Sequence, residues 1–565
     1  MFAKITKADL INCVLILCCA VLAGKGLFAN VLVYGHDTMY HFVKAVAVHQ
    51  SWCEGNFLAR WTPHLVDGYG YPLLHFYSPL FYYFSSAFMF IFSPVIAFNM
   101  TFFFFLFLSG FAMYLFAREV WGGRGALVAT VAYLFAPYHL LNIYVRMTAT
   151  EATAFVTFPL ALWAVLRIMR HVTFMRFLAV GLSVAALLLS HNIAALMLMP
   201  VVGAYVLFLF LVDEKRKAFR LWAGLSALLA GILLAAYFII PAMMEKVFVN
   251  ISRLTSGYMD YHQHFAYFDQ LIYSPWGFGI SLAGHGDHMS FMLGILHLLL
   301  AVAVIMFWKK IAVTMKGAAA QIIFFSLVLI GTLFMTMEAS SFLWRSIPLL
   351  PFVQYPWRFL LGATMAVSFL AGGVVCLVEE RFQKYVMVAI CCLIIAINIG
   401  YCRASQYSNE NTGSSFVAFL RASTPLDSME YLPIWVQKVS RKAPAEKLQV
   451  WAGDALIADE GGKPLNRKFS VQAKTLSALC FHSYYFPGWE VFVNGEPTEI
   501  NPENPFGLIV FTVPPGDHSV NIHFGTTPLR RAAEGVSLIM LVILFTGFIF
   551  RKRLDEWIAQ RLEQV

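Results

Sequence analysis

Runs of roughly 20 apolar residues constrain this chain more than anything else in it. They fall near 9–33, 97–117, 125–144, 151–166, 177–190, 193–212, 221–241, 289–308, 318–336, 358–378, 385–402 and 533–550. In hydrocarbon such a run can satisfy its own backbone only as a helix or as part of a closed barrel, and continuous apolar runs lack the alternation a barrel strand needs. The chain is therefore expected to be an α-helical polytopic membrane protein of about twelve transmembrane helices. Only 13% of its residues are charged, against about a quarter in soluble proteins. Residues 79–93 are also apolar, but the run is short and bounded by Pro79 and Pro94, which suits a re-entrant or interfacial segment.

The distribution of basic residues sets the orientation. With the N-terminus inside, twelve crossings put Arg118 and Arg124, then Arg167, Arg170 and Arg176, then Lys215, Arg216 and Lys217 on one side. Lys309 and Lys310, Arg381 and Lys384, and Arg551-Lys-Arg553 join them. Counting 79–93 as a crossing would move nearly all these clusters outside, against the positive-inside rule. Both termini are thus expected in the cytoplasm. The same confinement to short loops explains the net charge of +9 without nucleic acid as a partner. Cys13, Cys18, Cys19, Cys376, Cys391 and Cys392 lie inside apolar runs and show no paired CxxC spacing, so neither zinc nor a disulfide framework is indicated. Lys4 and Lys7 precede the first run as in a signal peptide, but the run is too long and Gly35-His-Asp37 is no cleavage site. It is expected to be an uncleaved span.

Four longer segments face the other compartment: 34–78, 242–288, 337–357 and 403–532. Residues 1–402 thus form a transmembrane domain carrying the first three as outer loops, 403–532 an outer domain, and 533–565 a final helix with a cytoplasmic tail. The outer domain alternates in the strand period at Phe469–Ala473, Ala478–His482, Trp489–Val493, Leu508–Val513 and Ser519–Phe524. Asn494-Gly495 signals a type I′ hairpin, and Pro514-Pro-Gly-Asp517 a second turn. A β-sandwich-like domain before the last helix is expected.

Ionisable residues at span ends on one face are candidates for a site, because burying them in lipid is costly without a partner or a cavity. Asp37 stands where the chain leaves the first span, in a stretch that also holds His36, His41, His49, His64 and His75. Asp37 and His41 are four residues apart, so a helix starting here puts them on one face; the competing reading is that Asp37 is an N-cap. Arg146 and Glu151 share a short loop and either belong to a site or simply pair with each other, Glu151 also suiting the start of the next helix. His191, between two spans, is read equally as a turn residue satisfied by backbone. Gln354-Tyr-Pro-Trp-Arg358 fits an interfacial anchor or an arginine fork for phosphate.

Several of these motifs resemble a known family. Gly35-His-Asp37 with His41, Arg60-Trp61, Gly68-Tyr-Gly-Tyr-Pro72 and Phe76-Tyr-Ser-Pro79 resemble the opening of the bacterial membrane proteins labelled pyruvoyl-tetrahydropterin-synthase-related. Arg146 with Glu151, His191, Tyr355-Pro-Trp-Arg-Phe359, Glu430-Tyr-Leu-Pro433 and Tyr485-Phe-Pro-Gly-Trp489 with Val493-Asn-Gly495 extend the likeness through most of the chain. That family looks like a branch of the GT-C glycosyltransferases, polytopic enzymes that use polyprenyl-phosphate-linked sugars and carry an acidic residue in the first outer loop, where Asp37 falls. One departure stands out: Arg146-Met147 occupies the place where the family leads us to expect Arg-Gly.

The resemblance implies a transferase in the bacterial cytoplasmic (inner) membrane, its active site facing outward. It would move a sugar from a polyprenyl-phosphate donor held among membrane lipids to an extracytoplasmic glycan, lipid or protein acceptor. Such chemistry needs a base for the acceptor's proton and cations for the departing phosphate. Asp37 is the expected base, with Glu151 and His41 as further catalytic candidates. Arg146 and Arg358 are expected at the phosphate, with His36, Arg60, His191 and Trp357 completing the substrate contacts. A divalent ion, Mg²⁺ or Mn²⁺, on Asp37 and Glu151 is left open. The competing functions are a transporter or flippase of a lipid-linked glycan precursor, with the same charges lining a path, and a non-catalytic envelope scaffold; the lack of a visible repeat and the placement of charges at span ends weigh against the transporter.

Overall fold

The computed structural model describes residues 7–213, 218–315, 317–407, 430–440 and 442–563; the expected Lys215, Arg216 and Lys217 cluster lies outside them. Each apolar run expected from sequence contains helix over at least part of its length. Among the described residues seven helices are long and apolar enough to cross a membrane, or up to nine if each of two bent pairs is one span. Leu10–Ala23 and Phe174–Ser190 are shorter apolar helices. The runs at 97–117 and 125–144 are two legs of Pro94–Leu134, whose helical path breaks at Gly122 (φ 67°, ψ −178°), a conformation open to glycine.

Three expected boundaries are corrected. The second leg ends at Leu134 rather than at 144, because Pro137 starts a separate short helix, and the residue before a proline is driven out of helical geometry. The run at 289–308 is helical only from Ile295, after Gly294 at φ 98°. The first span is helical only to Ala23. Residues 79–93 contain a ten-residue helix, Leu80–Met89, about 15 Å long and so too short to cross.

At the centre of the bundle are Ala149–Arg170 and the 356–377 span, each with 83% of its apolar window buried, whereas Glu380–Tyr401 has 11% and faces outward. The enclosed pair supplies Glu151, Trp357 and Arg358.

A two-stranded ladder fastens the first outer loop. β1 (Val33–Tyr34) pairs antiparallel with β2 (Gln406–Tyr407), Val33 opposite Tyr407. The outer domain holds the other strands: β3 (Leu448–Ala452), β4 (Ala455–Lys463), β5 (Asn466–Ala473), β6 (Ser477–Tyr484), β7 (Trp489–Val493), β8 (Glu496–Thr498), β9 (Leu508–Val513) and β10 (Gly516–Phe524). They form a five-stranded sheet in the order β4-β5-β10-β7-β8 and a three-stranded sheet in the order β3-β6-β9. All five expected strands are present. Asn494 and Gly495 both take positive φ, 54° and 89°, as a type I′ turn requires, and join β7 to β8. The exposed edge strand β4 and the short strands β3 and β8 carry too little alternation to be seen in sequence.

The outer domain packs directly on the first loop. Trp61 is fully buried against Phe486 (5.9 Å between ring centroids), Trp489 (6.1 Å) and Phe524 (5.7 Å). Tyr69 stacks on Tyr484 at 5.3 Å and its carbonyl accepts from the Tyr484 amide. Gly70 allows the contact, because a Cβ there would collide with the Trp61 indole.

Candidate active site

Asp37 is placed by backbone pairing across two loops. The amides of His36 and Asp37 donate to the carbonyls of Val145 and Arg146, at 3.0 and 2.9 Å. Gly35 permits this approach: a Cβ there would lie 2.7 Å from Met147 Cγ and 2.8 Å from the Val145 carbonyl oxygen. Asp37 then starts the helix Thr38–Cys53 but its side chain makes no capping hydrogen bond. Thr38 shapes the turn instead, its hydroxyl accepting from the Gly35 amide and donating to the Val33 carbonyl, both at 2.8 Å. The Asp37 carboxylate is thereby left for something other than capping, half-buried beside two guanidiniums.

The opposing loop is built around an unusual turn. After the short helix Pro137–Leu141, residues Asn142–Arg146 make a single π-helical turn that ends at Met147 in the left-handed conformation (φ 52°, ψ 45°). This gives a physical reason for glycine at the position, since an L side chain is strained there. The turn swings the Arg146 guanidinium onto Glu151, Nη1 to Oε2 at 2.6 Å and Nη2 to Oε1 at 3.0 Å, with Asn142 Oδ1 accepting at 2.5 Å. π-turns within helices recur at functional sites.

Arg358 approaches the same carboxylate from the other side, its Nε 3.1 Å from Glu151 Oε1. Its Nη1 donates to the Val353 carbonyl and to Gln354 Oε1, both at 2.8 Å, a grip that uses Gln354 at φ 68°. Aromatic planes hold both guanidiniums. Arg358 lies over Tyr355 at 4.7 Å, Tyr355 stacks on Trp357 at 5.0 Å, and Trp357 carries Arg146 at 4.5 Å. Trp357 thus orders the arginines rather than offering an open surface; it is 3% exposed.

Two guanidiniums share one glutamate, and the Glu151 side chain is 1% exposed. One positive charge is left for Asp37 or for an incoming anion. Burial pushes the Asp37 carboxyl above its ordinary range, while Arg146, His36 and Arg358 pull it back. The structure therefore gives the two acids different jobs: Glu151 is engaged by both arginines, and among the described residues no donor is found on the Asp37 carboxylate. Glu151 is enclosed between the Arg146 and Arg358 guanidiniums. Among the described residues no three His, Cys, Asp or Glu side chains converge so as to hold a metal.

The other expected residues divide. His41 shares the Asp37 face of its helix but is 1% exposed, its Nδ1 2.6 Å from the Tyr82 hydroxyl, and burial lowers its pKa well below the usual value. Its ring is thus enclosed, in surroundings that disfavour the charged form. His36 Nε2 is 3.0 Å from the Phe278 carbonyl oxygen, tying loop 242–288 to the site. His191 caps the helix Asn192–Val212, its Nδ1 accepting from the Ala194 amide at 3.3 Å, and also lines the adjoining cavity. Arg60 is a correction: it donates to the Tyr237 carbonyl at 2.7 Å and to Glu534 at 2.9 Å, fastening the first loop to the last span. A loop arginine beside Trp61 could not be told from a ligand-binding one without knowing what packs on it.

Sequence reasoning missed Lys44, one helical turn beyond His41 on the same face. Its Nζ lies over the rings of Tyr40 (3.2 Å) and Tyr77 (3.7 Å), is 5% exposed and has no hydrogen-bond partner. Burial brings its pKa down to about 7, against the pull of Glu430 and Asp37. The three-residue step from His41 to Lys44 was the available signal. Glu430, whose own pKa burial raises, reaches this cluster from the outer domain.

Arg358, Gln354, His191, Tyr77 and Glu430 form the polar end of a cavity of about 610 Å³. Ser78, Asn192 and Lys246 also line it, and the remainder is mostly apolar, with Leu188, Ile193, Met199, Phe238 and Phe352 between the helices Asn192–Val212 and Ala236–Met244. A charged head and an apolar body suit an amphiphile with an anionic end.

Comparison with known proteins gives three findings. The family model of the 6-pyruvoyl-tetrahydropterin synthase related domain, a membrane protein, matches residues 74–405, more than half of the chain; Asp37 lies before the matched stretch. An uncharacterized protein of Lactococcus lactis subsp. cremoris is 25% identical over 230 residues, 39% of this chain and 37% of that protein, so the match spans little more than a third of the relative. The crystal structure of ArnT from Cupriavidus metallidurans bound to undecaprenyl phosphate aligns at 13% identity with a TM-score of 0.40, covering 69% of this chain and 64% of ArnT. With its apolar spans and this family match, the chain is a multi-pass membrane protein and belongs to the 6-pyruvoyl-tetrahydropterin-synthase-related family.

Proposed function

We propose that the protein is a membrane glycosyltransferase that moves a sugar from a polyprenyl-phosphate carrier to an acceptor on the extracytoplasmic side of a bacterial inner membrane. The observation that carries this reading is the placement of Asp37, whose side chain makes no capping bond, near two arginines that share one glutamate, beside a largely apolar cavity with Arg358 in its lining. The cavity takes the first prenyl units and Arg358 the phosphate, assisted by the charge that Glu151 leaves uncompensated. Asp37 accepts the proton of the acceptor hydroxyl as its oxygen bonds to the anomeric carbon. The bond from that carbon to the phosphate oxygen breaks, and its electron pair leaves with the polyprenyl phosphate, where fixed guanidiniums stabilise the charge as it forms. Lys44, held between two tyrosines, adds a titratable charge that opposes protonation of Asp37.

The test uses purified full-length protein in nanodiscs with a panel of polyprenyl-phosphate sugars labelled in the sugar. Release of polyprenyl phosphate with transfer of label to an acceptor or to water is expected for at least one donor. Intact donors throughout, with label instead crossing the bilayer of sealed vesicles, would replace the transferase with a transporter.

A further inference from the structure

The segment Glu430-Tyr-Leu-Pro433 takes no part in the transfer step, yet it is fastened at the polar end of the cavity. The Tyr431 amide donates to the Tyr71 hydroxyl at 2.9 Å, and the Tyr431 ring stacks on Phe76 at 5.2 Å. On the other side the Asn250 amide donates to the Leu432 carbonyl at 3.1 Å and the Ile434 amide to the Phe248 carbonyl at 3.0 Å. Contacts to the first loop and to loop 242–288 thus fix the backbone beside Glu430, the one carboxylate among the described residues that line this cavity. Its polar neighbours there are engaged: Ser78 Oγ donates to Asn192 Oδ1 and Asn192 Nδ2 to the Phe76 carbonyl, both at 2.7 Å, and Gln354 accepts from Arg358. Glu430 differs. Lys44 is the charge that acts most strongly on its carboxylate, ahead of Arg358 and Asp37. Among the described residues, however, no ion pair or hydrogen bond joins the two. The Lys44 Nζ lies over the ring faces of Tyr40 and Tyr77 and has no hydrogen-bond partner. The charge of Glu430 is therefore balanced while its hydrogen-bonding capacity is left open: the Tyr40 hydroxyl beside it takes at most one of about four acceptor positions on a carboxylate.

We propose that Glu430 reads the sugar of the donor, and that this sugar is neutral, its hydroxyl groups donating to the Glu430 carboxylate. The proposal rests on the transferase reading of the site. A sugar carboxylate would be repelled by Glu430, and a sugar ammonium would add to the positive charge of Lys44 and Arg358. A hydroxyl donates a hydrogen bond and brings no charge. With Arg358 on the phosphate, Glu430 falls to the next group along the donor, and Tyr77 and Tyr431, which line the same end of the cavity, give the sugar ring aromatic walls. Lys44 acts through Glu430, as a positioning residue that sets which charge the sugar can carry.

Dissociation constants of the full-length protein in nanodiscs are measured at pH 6, below the value of about 7 at which Lys44 titrates. The ligands are short-chain polyprenyl phosphate, bare or carrying a neutral hexose, an N-acetylhexosamine, a hexuronic acid or a hexosamine with a free amine. At least one neutral sugar is expected to bind about 10- to 100-fold tighter than the bare carrier, the range for hydrogen bonds to a charged group, and neither charged sugar is. Glu430→Gln is expected to lose most of that gain while holding the bare carrier within a few-fold of wild type. Lys44→Met is expected to shift preference several-fold toward the free amine, which a merely structural lysine would not do. No gain from any neutral sugar, a charged sugar bound as tightly as the best neutral one, the full gain kept in Glu430→Gln, or an unchanged preference in Lys44→Met would each overturn the proposal and leave the carrier site standing. No binding of any carrier by wild type would instead refute the transferase reading, and this proposal with it. Should Glu430→Gln fail to fold, the wild-type ranking of sugars and the Lys44→Met shift decide.

Discussion

Two buried glutamates in this protein look alike and do different work. Glu151 is gripped by Arg146 and Arg358 over the rings of Trp357 and Tyr355. Glu245 is gripped by Arg530, at 2.9 Å, with His75 at 2.6 Å and the Thr527 hydroxyl at 3.0 Å, and Arg530 lies over Phe486 and Phe524. The difference is in the charge balance. Burial brings His75 down to about 4, so at neutral pH Glu245 faces one positive charge and the set closes on itself. It clasps the first loop, the last helix and, through Arg530 to the Pro487 carbonyl at 2.7 Å, the outer domain. Glu151 faces two positive charges, with Asp37 alongside and a cavity at Arg358. Burial and pairing alone therefore do not mark a site; surplus charge with access does.

The comparison breaks most sharply at the arginines. Arg358→Gln is expected to lower turnover per folded molecule on the order of 10² to 10³, the cost of losing a fixed donor to a developing oxyanion. Arg530→Gln is expected to reduce the yield of folded protein while leaving turnover per folded molecule within a few-fold of wild type. Equal kinetic losses in the two variants would erase the distinction between site and clasp.

The glutamates themselves should be equal in stability and unequal in function. Removing the charge with Glu151→Gln or Glu245→Gln leaves a buried guanidinium unpaired, at a cost of about 3–5 kcal/mol each, read as a fall in the unfolding midpoint. Of the two, only Glu151→Gln is expected to change the KM for the lipid donor.

A smaller effect comes from Lys44. Its folded pKa of about 7 lies below the ordinary 10.5, so its contribution to stability is complete above about 10.5 and is lost as pH falls through about 7. Lys44→Met is expected to flatten the pH dependence of the unfolding midpoint across that window. An unchanged slope would mean that Lys44 is solvated. The smallest expected effect is at Met147. Left-handed backbone costs a non-glycine residue about 1–2 kcal/mol, offset in part by the greater unfolded freedom of glycine. Met147→Gly is therefore expected to raise the midpoint slightly, and a marked fall would place the Met147 side chain, rather than its backbone, in control of the turn.

Much of this arrangement was legible in the chain itself. Apolar runs located the helices because lipid leaves the backbone no other local solution, and alternation with Asn494-Gly495 located five strands and a hairpin. The loops were harder. Residues 34–44 and 60–76 are both rich in His, Tyr and Gly, yet the first lies at the candidate site while Trp61, Tyr69 and Tyr71 dock the outer domain and its flanking segment. The pairing of His36 and Asp37 with residues 145 and 146 spans more than a hundred positions, and no local pattern encodes it. Arg60 was misread for the same reason, its partner Glu534 being 474 residues away. Arg146 with Glu151 showed as a pair but not as a triad, because Arg358 joins from another span.

Asp37→Asn is the most direct test of the central claim. The substitution keeps the shape of the side chain and removes its charge and its capacity as a base, and no capping bond is lost because the Asp37 side chain makes none. Turnover of purified, folded protein with a labelled polyprenyl-phosphate sugar is expected to fall by a factor on the order of 10² to 10⁴ with the unfolding midpoint close to wild type. The acid limb of the wild-type rate, set by a carboxyl that burial raises above its ordinary value of 3.8, is expected to vanish with it, since rate is lost as pH falls through that pKa. Wild-type turnover in Asp37→Asn, or loss that merely tracks unfolding, would contradict Asp37 as the base.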